Sequence, residues 1–291
     1  MRLLRQPAEG ELELRPMAEN NPEKLRQTRC FLLDMDGTFY LGGKLLPGAL
    51  DFIHLLEQRG IDYLFLTNNS SRTKSEYAQK IQLLGLSISE NKIFTSGEAT
   101  ALYLARQKQN ARLYVAGTPA LEREFTAFGF TITEDAPDFV VLGFDTTLTY
   151  AKIWKICDLV TAGVPWIATH PDINCPTENG FMPDIGAMIA MIAASTGHQP
   201  NLIIGKPHQP IVDAIVAKVG LPVSKICMVG DRLYTDIALG STGISTVLVL
   251  SGETHQEDLA DSPFRPDYVM ENLGELAHYL VHNVLNSPFS C

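Results

Sequence analysis

Cysteine is scarce in this chain, and its spacing fits neither a disulfide framework nor a zinc site. The 291 residues include Cys30, Cys157, Cys175, Cys227 and Cys291. This number is odd, and no CxxC pair occurs among them. Scattered cysteines of this kind are typical of proteins kept in a reducing compartment. We therefore expect a cytoplasmic location.

The sequence also lacks a long apolar run and an excess of basic residues. No stretch is long enough to span a bilayer, and the first residues contain no apolar signal-peptide region. The formal net charge of −10 disfavours binding of nucleic acid or of an anionic membrane through a general basic surface. We expect neither as a partner, although a local cationic site for a small anion is compatible with this charge.

What the chain does contain is a regular alternation of short apolar runs and amphipathic segments. Runs such as "CFLLDMD", "IDYLFLTNNS", "LIIGKP" and "STVLVLSG" are typical of buried strands, and "GALDFIHLLEQRG" and "PIVDAIVAKVGL" have helical spacing. Continuous apolar strands that alternate with helices indicate a parallel sheet covered on both faces. The predicted fold class is therefore α/β, with a doubly wound, Rossmann-like parallel sheet.

Three parts of the chain differ in pattern. Residues 1–28 are polar and lack a clear period, so we interpret them as an N-terminal extension. Residues 99–202 repeat the strand–helix alternation with enough apolar residues for a core of their own. We predict that 99–202 form a second α/β domain, inserted into a first domain made of 29–98 and 203–291.

Polar residues follow the predicted strands of the first domain at the points where the strands end. In an open parallel sheet, ligands bind beyond the carboxyl ends of the strands. Several strands therefore deliver carboxylates, a hydroxyl, amides and an ammonium to one edge, an arrangement suited to a cation and an anionic substrate. These residues are Asp34, Asp36, Thr67, Asn68, Asn69, Lys206, Asp231 and Asp236.

The residue types at this edge suit phosphoryl transfer. Asp34, Asp36 and Asp231 offer hard oxygen ligands of the kind that Mg²⁺ prefers. Lys206 and the Thr67 hydroxyl can offset and hydrogen-bond phosphoryl oxygens, and this reaction depends mainly on positioning and charge neutralisation. One aspartate can act as nucleophile and the other as general acid and base.

Four segments, taken in order, resemble the motifs of the haloacid dehalogenase superfamily of phosphatases: "DMDGT", "LTNNS", "GKP" and "GDRLYTD". The insert lies between the second and third motifs, as in the subclass with a large C2-type cap. Its segments "GFDTTLTYAKI" and "IATHPDINCPT" are similar to the cap of the NagD and p-nitrophenylphosphatase-like group. The resemblance implies a superfamily core with an inserted α/β cap domain.

The resemblance also implies a role for each residue of the first and fourth motifs. Asp34 would be the nucleophile, and Asp36 the general acid and base. Asp34, the backbone carbonyl of Asp36, and Asp231 would ligate Mg²⁺. Asp236 would orient either the metal ligands or Lys206.

The remaining implied roles concern the substrate. Thr67 and Lys206 would bind the phosphoryl group, with Asn68 and Asn69 beside them. Cys175 lies in a cap loop where relatives place substrate-contacting residues, although a small buried filler is an equal alternative for it. We predict that the loops at Cys175 and Asp184 select the substrate.

The resemblance implies a small phosphorylated metabolite as substrate, for example a sugar phosphate, a nucleotide or p-nitrophenyl phosphate. A homo-oligomer formed through the cap is compatible with it.

Other functions stay open on the sequence. A receiver-type signalling module also combines acids, a threonine and a lysine around Mg²⁺, but it is much shorter and has no inserted domain. A non-catalytic protein on this fold would be favoured by loss of an acid at position 34, 36 or 231, and all three are present. A phosphotransferase or phosphomutase shares the same residues. His170 and His208 are interpreted as loop residues rather than metal ligands.

Overall fold

The computed structural model describes residues 22–177 and 180–285. Its first part begins with a short helix and builds three strands of the main sheet. The elements are α1 (Pro22–Gln27), β1 (Cys30–Leu33), β2 (Tyr40–Leu41), β3 (Lys44–Leu45), α2 (Ala49–Arg59), β4 (Asp62–Thr67), α3 (Lys74–Leu83), a 3₁₀ turn (Glu90–Lys92), β5 (Ile93–Thr95) and α4 (Ser96–Gln107).

The middle part forms a second sheet with its own helices. Its elements are β6 (Arg112–Ala116), α5 (Pro119–Ala127), β7 (Thr131–Ile132), β8 (Phe139–Leu142), α6 (Tyr150–Thr161), β9 (Trp166–Ala168), β10 (Asn174–Thr177), β11 (Gly180–Pro183), α7 (Ile185–Thr196) and β12 (Leu202–Ile203).

The last part returns to the main sheet. Its elements are α8 (Gln209–Val219), a 3₁₀ turn (Val223–Lys225), β13 (Ile226–Gly230), a 3₁₀ helix (Ile237–Thr242), β14 (Ser245–Val249), α9 (Asp258–Asp261), β15 (Tyr268–Met270), α10 (Leu273–Tyr279) and a terminal π-helix (Leu280–Leu285).

Among the described residues, two sheets are entirely parallel, which confirms the predicted α/β class. The core sheet has the order β15-β14-β13-β1-β4-β5. The insert sheet has the order β12-β9-β8-β6-β7. Two short antiparallel hairpins, β2-β3 and β10-β11, follow strands of the core sheet and the insert sheet respectively.

Strand β1 shows why the core sheet needs helices on both faces. Phe31 and Leu33 belong to one buried apolar cluster, whereas Cys30 and Leu32 belong to another. Successive side chains of a strand point to opposite faces, so the continuous apolar run fills both layers. Burial of each large apolar side chain contributes about 1.5–3 kcal/mol.

Local sequence chemistry sets the bounds of the predicted helices. Helix α2 ends at Gly60, which adopts a left-handed conformation with φ of 63°. Helix α3 begins after Thr73, whose side chain accepts from the Glu76 backbone N–H while the Glu76 carboxylate accepts from the Thr73 N–H. Such a capping box satisfies backbone donors that the first helical turn leaves unpaired.

The two parallel sheets do not by themselves locate the predicted boundaries between extension, core and insert. Residues 1–21 of the predicted extension lie outside the described residues, and the next segment forms α1, whose Leu25 is buried in the core. The predicted boundaries at 98/99 and 202/203 fall inside α4 and β12. The domain division therefore stays a prediction. Across residues 22–177 and 180–285, no helix has both the length and the apolar character needed to cross a bilayer.

Candidate active site

Three adjacent strands of the core sheet end at one place. Leu33, the last residue of β1, pairs with Phe65 of β4 on one side and with Val229 of β13 on the other. Asp34 follows β1 directly, and Asp231 follows β13 directly. Because the strands are parallel, their next residues emerge at the same edge. The sheet topology thus brings the first and fourth motifs together.

A buried ammonium lies between two carboxylates at this edge. Lys206 Nζ donates to Asp34 Oδ1 and to Asp236 Oδ1, at 2.6 Å in each case. Burial alone would lower the pKa of Lys206, but the charges of Asp236 and Asp34 outweigh it and raise the pKa above its ordinary value. Lys206 is therefore charged at neutral pH and can offset the charge of an anion bound beside Asp34.

Three buried acids cluster at this edge, and two of them, Asp34 and Asp236, accept hydrogen bonds from Lys206. Oxygen atoms of Asp34, Asp231 and Asp236 all lie within 4.8 Å of one another. Burial, and then the charges of Asp34 and Asp236, raise the pKa of Asp231 well above its usual range. One lysine does not balance three carboxylates, and hard oxygen ligands in this arrangement fit a divalent cation. Asp34 and Asp231 of the predicted metal ligands lie in this cluster, together with Asp236, whereas the Asp36 side chain lies outside it.

Two glycines let the backbone pack tightly around Asp231. A Cβ atom built on Gly37 would lie 2.3 Å from Asp231 Oδ2, and one built on Gly252 would lie 2.0 Å from the same atom. Asp231 Oδ2 also accepts a 2.7 Å hydrogen bond from the Glu253 backbone N–H. The backbone therefore packs closely around this carboxylate, and its other oxygen, Oδ1, lies 3.4 Å from the Thr38 hydroxyl.

Asp36 has a different environment from Asp34. Its side chain is 41% exposed, lies 3.8 Å from Lys80 Nζ, and accepts a weak 3.5 Å hydrogen bond from the Tyr40 hydroxyl. Burial of part of the group raises the pKa of Asp36, and Lys80 opposes this shift. A carboxyl group with a raised pKa and access to solvent is suited to exchanging a proton.

The second motif forms a tightly bonded turn at the end of β4. Thr67 Oγ1 accepts from the Asn69 N–H at 3.1 Å, and Asn69 Oδ1 accepts from the Ser71 N–H at 2.9 Å. The Asn68 amide is paired with the backbone of Lys206: Asn68 Nδ2 donates to the carbonyl at 3.0 Å, and the N–H donates to Asn68 Oδ1 at 2.8 Å. The Asn68 side chain thus places Lys206, a contact that the sequence did not indicate.

A pocket opens between this edge and the insert. Cys175 and Asp184 of the insert are among its lining residues, whereas Asp231 and Asp236 are not. Its lining residues are Asp34, Asp36, Thr67, Asn68, Asn69, Lys206, Arg232 and Thr235 from the core, with Asp172, Cys175 and Asp184 from the insert.

The two predicted insert residues have different surroundings. Burial, followed by the charge of Asp184, raises the pKa of the Cys175 thiol to about 11, so it is neutral at pH 7. Asp184 caps α7, because its Oδ1 accepts from the Ile185 N–H at 2.7 Å, and this oxygen lies 3.0 Å from His170 Nε2. His170 is a buried neighbour of Asp184 and lies outside the acidic cluster.

Sequence reasoning missed two charged residues of the pocket. Arg232 and Asp172 form an ion pair, with Arg232 Nη1 3.2 Å from Asp172 Oδ1. Both lie inside motifs that the sequence singled out, "GDRLYTD" and "THPD". Nothing in the spacing pairs them, since the contact depends on how the insert sits against the core.

Sequence profiles of known families match both halves of the main sheet. The profile described as haloacid dehalogenase-like hydrolase matches residues 31–131, and a second HAD-like hydrolase profile matches residues 203–276.

Curated relatives and solved structures agree with these profiles. The chain is 37% identical over 257 residues to the 5'-nucleotidase YutF of Bacillus subtilis, covering 88% of this chain and 100% of the relative. It is 35% identical to an acid sugar phosphatase of Staphylococcus haemolyticus, covering 86% and 95%. A crystal structure of the 4-nitrophenylphosphatase of Thermotoga maritima is 48% identical, with a TM-score of 0.86 and coverage of 88% and 98%. The chain therefore belongs to the haloacid dehalogenase superfamily of hydrolases, within the NagD and p-nitrophenylphosphatase-like group.

Proposed function

We propose that this protein is a Mg²⁺-dependent phosphatase that hydrolyses small phosphate monoesters through an aspartyl-phosphate on Asp34. The observation that carries the proposal is the contact of Asp34 with the buried Lys206, next to a cluster of three acids and beside the more exposed Asp36. A carboxylate nucleophile and a separate proton-exchanging acid are both needed for this chemistry.

In the first half-reaction, an Asp34 oxygen attacks phosphorus and the bond from phosphorus to the leaving oxygen breaks. Asp36 donates a proton to that oxygen, so that the alcohol departs neutral. In the second half-reaction, Asp36 accepts a proton from water, which attacks phosphorus and releases Asp34 and inorganic phosphate. Lys206 offsets the charge on the phosphoryl oxygens in both steps, and the Thr67 hydroxyl lies at the same pocket.

Asp34, the backbone carbonyl of Asp36, and Asp231 would hold Mg²⁺, which when bound supplies Lewis-acid charge neutralisation at the phosphoryl group. Asp236 accepts from both Lys206 Nζ, at 2.6 Å, and the Arg232 N–H, at 3.1 Å. This placement supports a role for Asp236 in orienting Lys206. Asn68 and Asn69 support the phosphoryl site by shaping the turn after β4.

The substrate class is a small phosphorylated metabolite. The names of the relatives, a 5'-nucleotidase, an acid sugar phosphatase and a 4-nitrophenylphosphatase, support nucleotides, sugar phosphates and p-nitrophenyl phosphate as candidates. Residues 99–202 would act as the cap, and Cys175 and Asp184 would contact the leaving group, since both line the same pocket as Asp34.

Two further parts of the proposal concern the cell and the assembly. A cytoplasmic location is supported by free thiols at Cys30 and Cys227 in the described part of the chain. A homo-oligomer through the cap is supported by an apolar patch on α6 and α7 that includes Tyr150, Trp154 and Met191, which are 78%, 63% and 40% exposed. Light scattering of Trp154→Glu against wild type tests whether this patch joins two copies.

A steady-state screen tests the function. Purified protein with Mg²⁺ is assayed against p-nitrophenyl phosphate, sugar phosphates, nucleoside monophosphates and glycerol phosphate, with Asp34→Asn as the control for contaminating phosphatase. We expect phosphate release that Asp34→Asn abolishes. Hydrolysis that persists unchanged in Asp34→Asn, or its absence with every ester, would contradict the proposal.

A further inference from the structure

Asp172 lies in the loop between β9 and β10, and its backbone is fixed to the insert. The Gly186 N–H donates to the Asp172 carbonyl at 2.7 Å, and the Asp184 N–H donates to the Ile173 carbonyl at 2.8 Å. A Cβ atom on Gly186 would lie 2.4 Å from the Pro171 carbonyl oxygen, so the start of α7 presses directly on this loop. The Asp172 backbone therefore moves with α7.

The side chain of Asp172, by contrast, ends in the core. Its Oδ2 accepts from Asn68 Nδ2 at 2.7 Å, and its Oδ1 accepts from Arg232 Nη1 at 3.2 Å. Asn68 follows β4 and Arg232 follows β13, the two strands on either side of β1. One carboxylate from the insert thus bridges both neighbours of the strand that carries Asp34. Asp172 is only 2% exposed, so its carboxylate depends on contacts within the protein, and His170 Nε2 also lies 3.8 Å from its Oδ2.

Asn68 and Arg232, the two core partners of Asp172, are both connected to the proposed phosphoryl site. The Asn68 amide is also bonded to the backbone of Lys206 in both directions, and Lys206 Nζ donates to Asp34. The Arg232 side chain lines the pocket and has a second partner in Glu253, at 2.9 Å from Nε. If the Asp172 carboxylate is lost as an acceptor, the Asn68 amide and the Arg232 guanidinium must reorient or bind water instead.

The geometry points to Asp172 as a positioning residue that couples the seating of the insert on the core to the placement of Asn68, Lys206 and Arg232 around Asp34. When the loop is seated, one carboxylate fixes the side chains that follow β4 and β13. When the loop moves away, both contacts are lost together. The amide that contacts Lys206 then has one hydrogen-bond partner fewer, and the Arg232 side chain keeps its ion pair with Glu253.

This inference rests on the proposed phosphatase activity, because its readout is turnover. The contacts are on the phosphoryl side of the pocket, which is common to every substrate. Loss of Asp172 should therefore lower kcat by a similar factor for all substrates, whereas a residue that selects the leaving group would change their ratio. A misplacement of about 1 Å at a reacting centre can cost about 10²-fold in rate.

The first test compares Asp172→Asn and Asp172→Ala with wild type on p-nitrophenyl phosphate and on the best natural ester found. Asn keeps one oxygen acceptor but loses the charge that faces Arg232, and Ala loses both contacts. We expect kcat to fall about 10-fold in Asp172→Asn and about 100-fold in Asp172→Ala, equally for both esters. Thr118→Ala is the control, because it removes another hydrogen bond between insert and core, from Thr118 Oγ1 to the Ser71 carbonyl at 2.8 Å, outside the pocket lining.

A double-mutant cycle with Arg232→Gln separates positioning from a general structural role. If Asp172 acts through Arg232, the double variant Asp172→Asn/Arg232→Gln should be little slower than the slower single variant. Multiplying effects, or wild-type kcat in Asp172→Asn, would overturn the inference while leaving the phosphatase proposal intact. An inactive wild type would overturn both. If Asp172→Ala does not fold, the Asn and Gln variants still decide the outcome.

Discussion

Lys206 donates a 2.6 Å hydrogen bond to Asp34, although the two residues are 172 positions apart in the chain. The lysine lies three residues after the end of β12, the last strand of the insert sheet in the chain, and the aspartate lies directly after β1, the first strand of the core sheet in the chain. The pair therefore forms only when the insert has returned the chain to the core. Removing the ammonium would leave Asp34 and Asp236 facing each other in a buried site, an arrangement that costs several kcal/mol without a cation.

The first prediction concerns the metal. Hydrolysis of p-nitrophenyl phosphate should require Mg²⁺, and EDTA should abolish it, because three buried acids lie together and Lys206 pairs with only two of them. Ca²⁺ should substitute poorly, since it accepts more ligands and a looser geometry. Activity is measured after dialysis against chelator and again after Mg²⁺ is restored. Full activity in chelator would contradict the assignment of the whole site.

The second prediction concerns the backbone around Asp231. Gly252→Ala places a Cβ 2.0 Å from Asp231 Oδ2, so the carboxylate must shift. We expect the Mg²⁺ concentration for half-maximal activity to rise about 10–100-fold, the usual effect of disturbing groups that hold a metal ligand. Gly43→Ala is the matched control, because nothing lies within 4 Å of its added Cβ. Equal Mg²⁺ dependence in the two variants would show that Asp231 does not hold the metal.

The third prediction concerns substrate choice. Cys175→Ser and Asp184→Asn change side chains that line the pocket from the insert. Each should alter the ratio of kcat/KM between two natural esters more than it alters kcat for p-nitrophenyl phosphate, whose leaving group needs little recognition. The ratios are obtained from competing substrates in one reaction mixture. If all substrates change by the same factor, these residues do not select the leaving group.

The sequence predicted the core sheet and the converging acids because each motif begins at the end of an apolar strand or shortly after it, and parallel strands share an edge. It could not predict which side chains far apart in the chain contact each other. Asn68 and Lys206 are 138 residues apart, and Asp172 and Arg232 are 60 apart. No spacing rule links such pairs.

The predicted domain boundary shows a second limit. Thr95 Oγ1 accepts from the Glu98 N–H at 3.0 Å and caps α4, which then continues through Gln107. Helix α4 runs across the predicted boundary, and the helical spacing of its apolar residues does not change there. The sequence therefore does not show the position at which the chain leaves the core. A change of pattern along the sequence therefore locates the insert only to within one element.

The fourth prediction concerns stability and pH. Both carboxylate oxygens of Glu124 on α5 are buried without a hydrogen-bond partner among the residues that the structure describes. Burial, followed by the charge of Glu98, raises the pKa of Glu124 to about 7. The folded state therefore binds more protons than the unfolded state between about pH 4.5 and pH 7, and stability falls as pH rises through this window.

Glu124→Gln removes this penalty. Relative to wild type, it should gain about 1–3 kcal/mol in free energy of unfolding at pH 8 and much less at pH 5. Urea unfolding at the two pH values measures the difference. Glu122→Gln, on the same helix, is the control and should show little pH-dependent gain. An equal gain for Glu124→Gln at both pH values would mean that the group is already ionised in the folded protein.

The last prediction separates the roles of the two acids of the first motif. Asp34→Asn keeps the shape of the side chain but removes the nucleophile, so no phosphoenzyme should form. Asp36→Asn keeps its backbone carbonyl and loses only proton transfer, which is typically worth about 10²–10⁴-fold in rate. Breakdown of the phosphoenzyme should slow most, because its attacking water lacks a base. Phosphorylation by p-nitrophenyl phosphate should slow less, since nitrophenolate departs without a proton.

Asp36→Asn mixed rapidly with p-nitrophenyl phosphate should therefore release a burst of nitrophenolate equal to the enzyme concentration and then turn over slowly. The trapped phosphate should appear on Asp34 in the intact-protein mass after an acid quench and in the peptide map that follows. Wild type quenched in the same way is the control and should carry less phosphate at steady state. A phosphoenzyme in Asp34→Asn, or phosphate mapped to Asp36 in wild type, would show that the nucleophile and the acid are exchanged, because only the attacking carboxylate forms a bond to phosphorus.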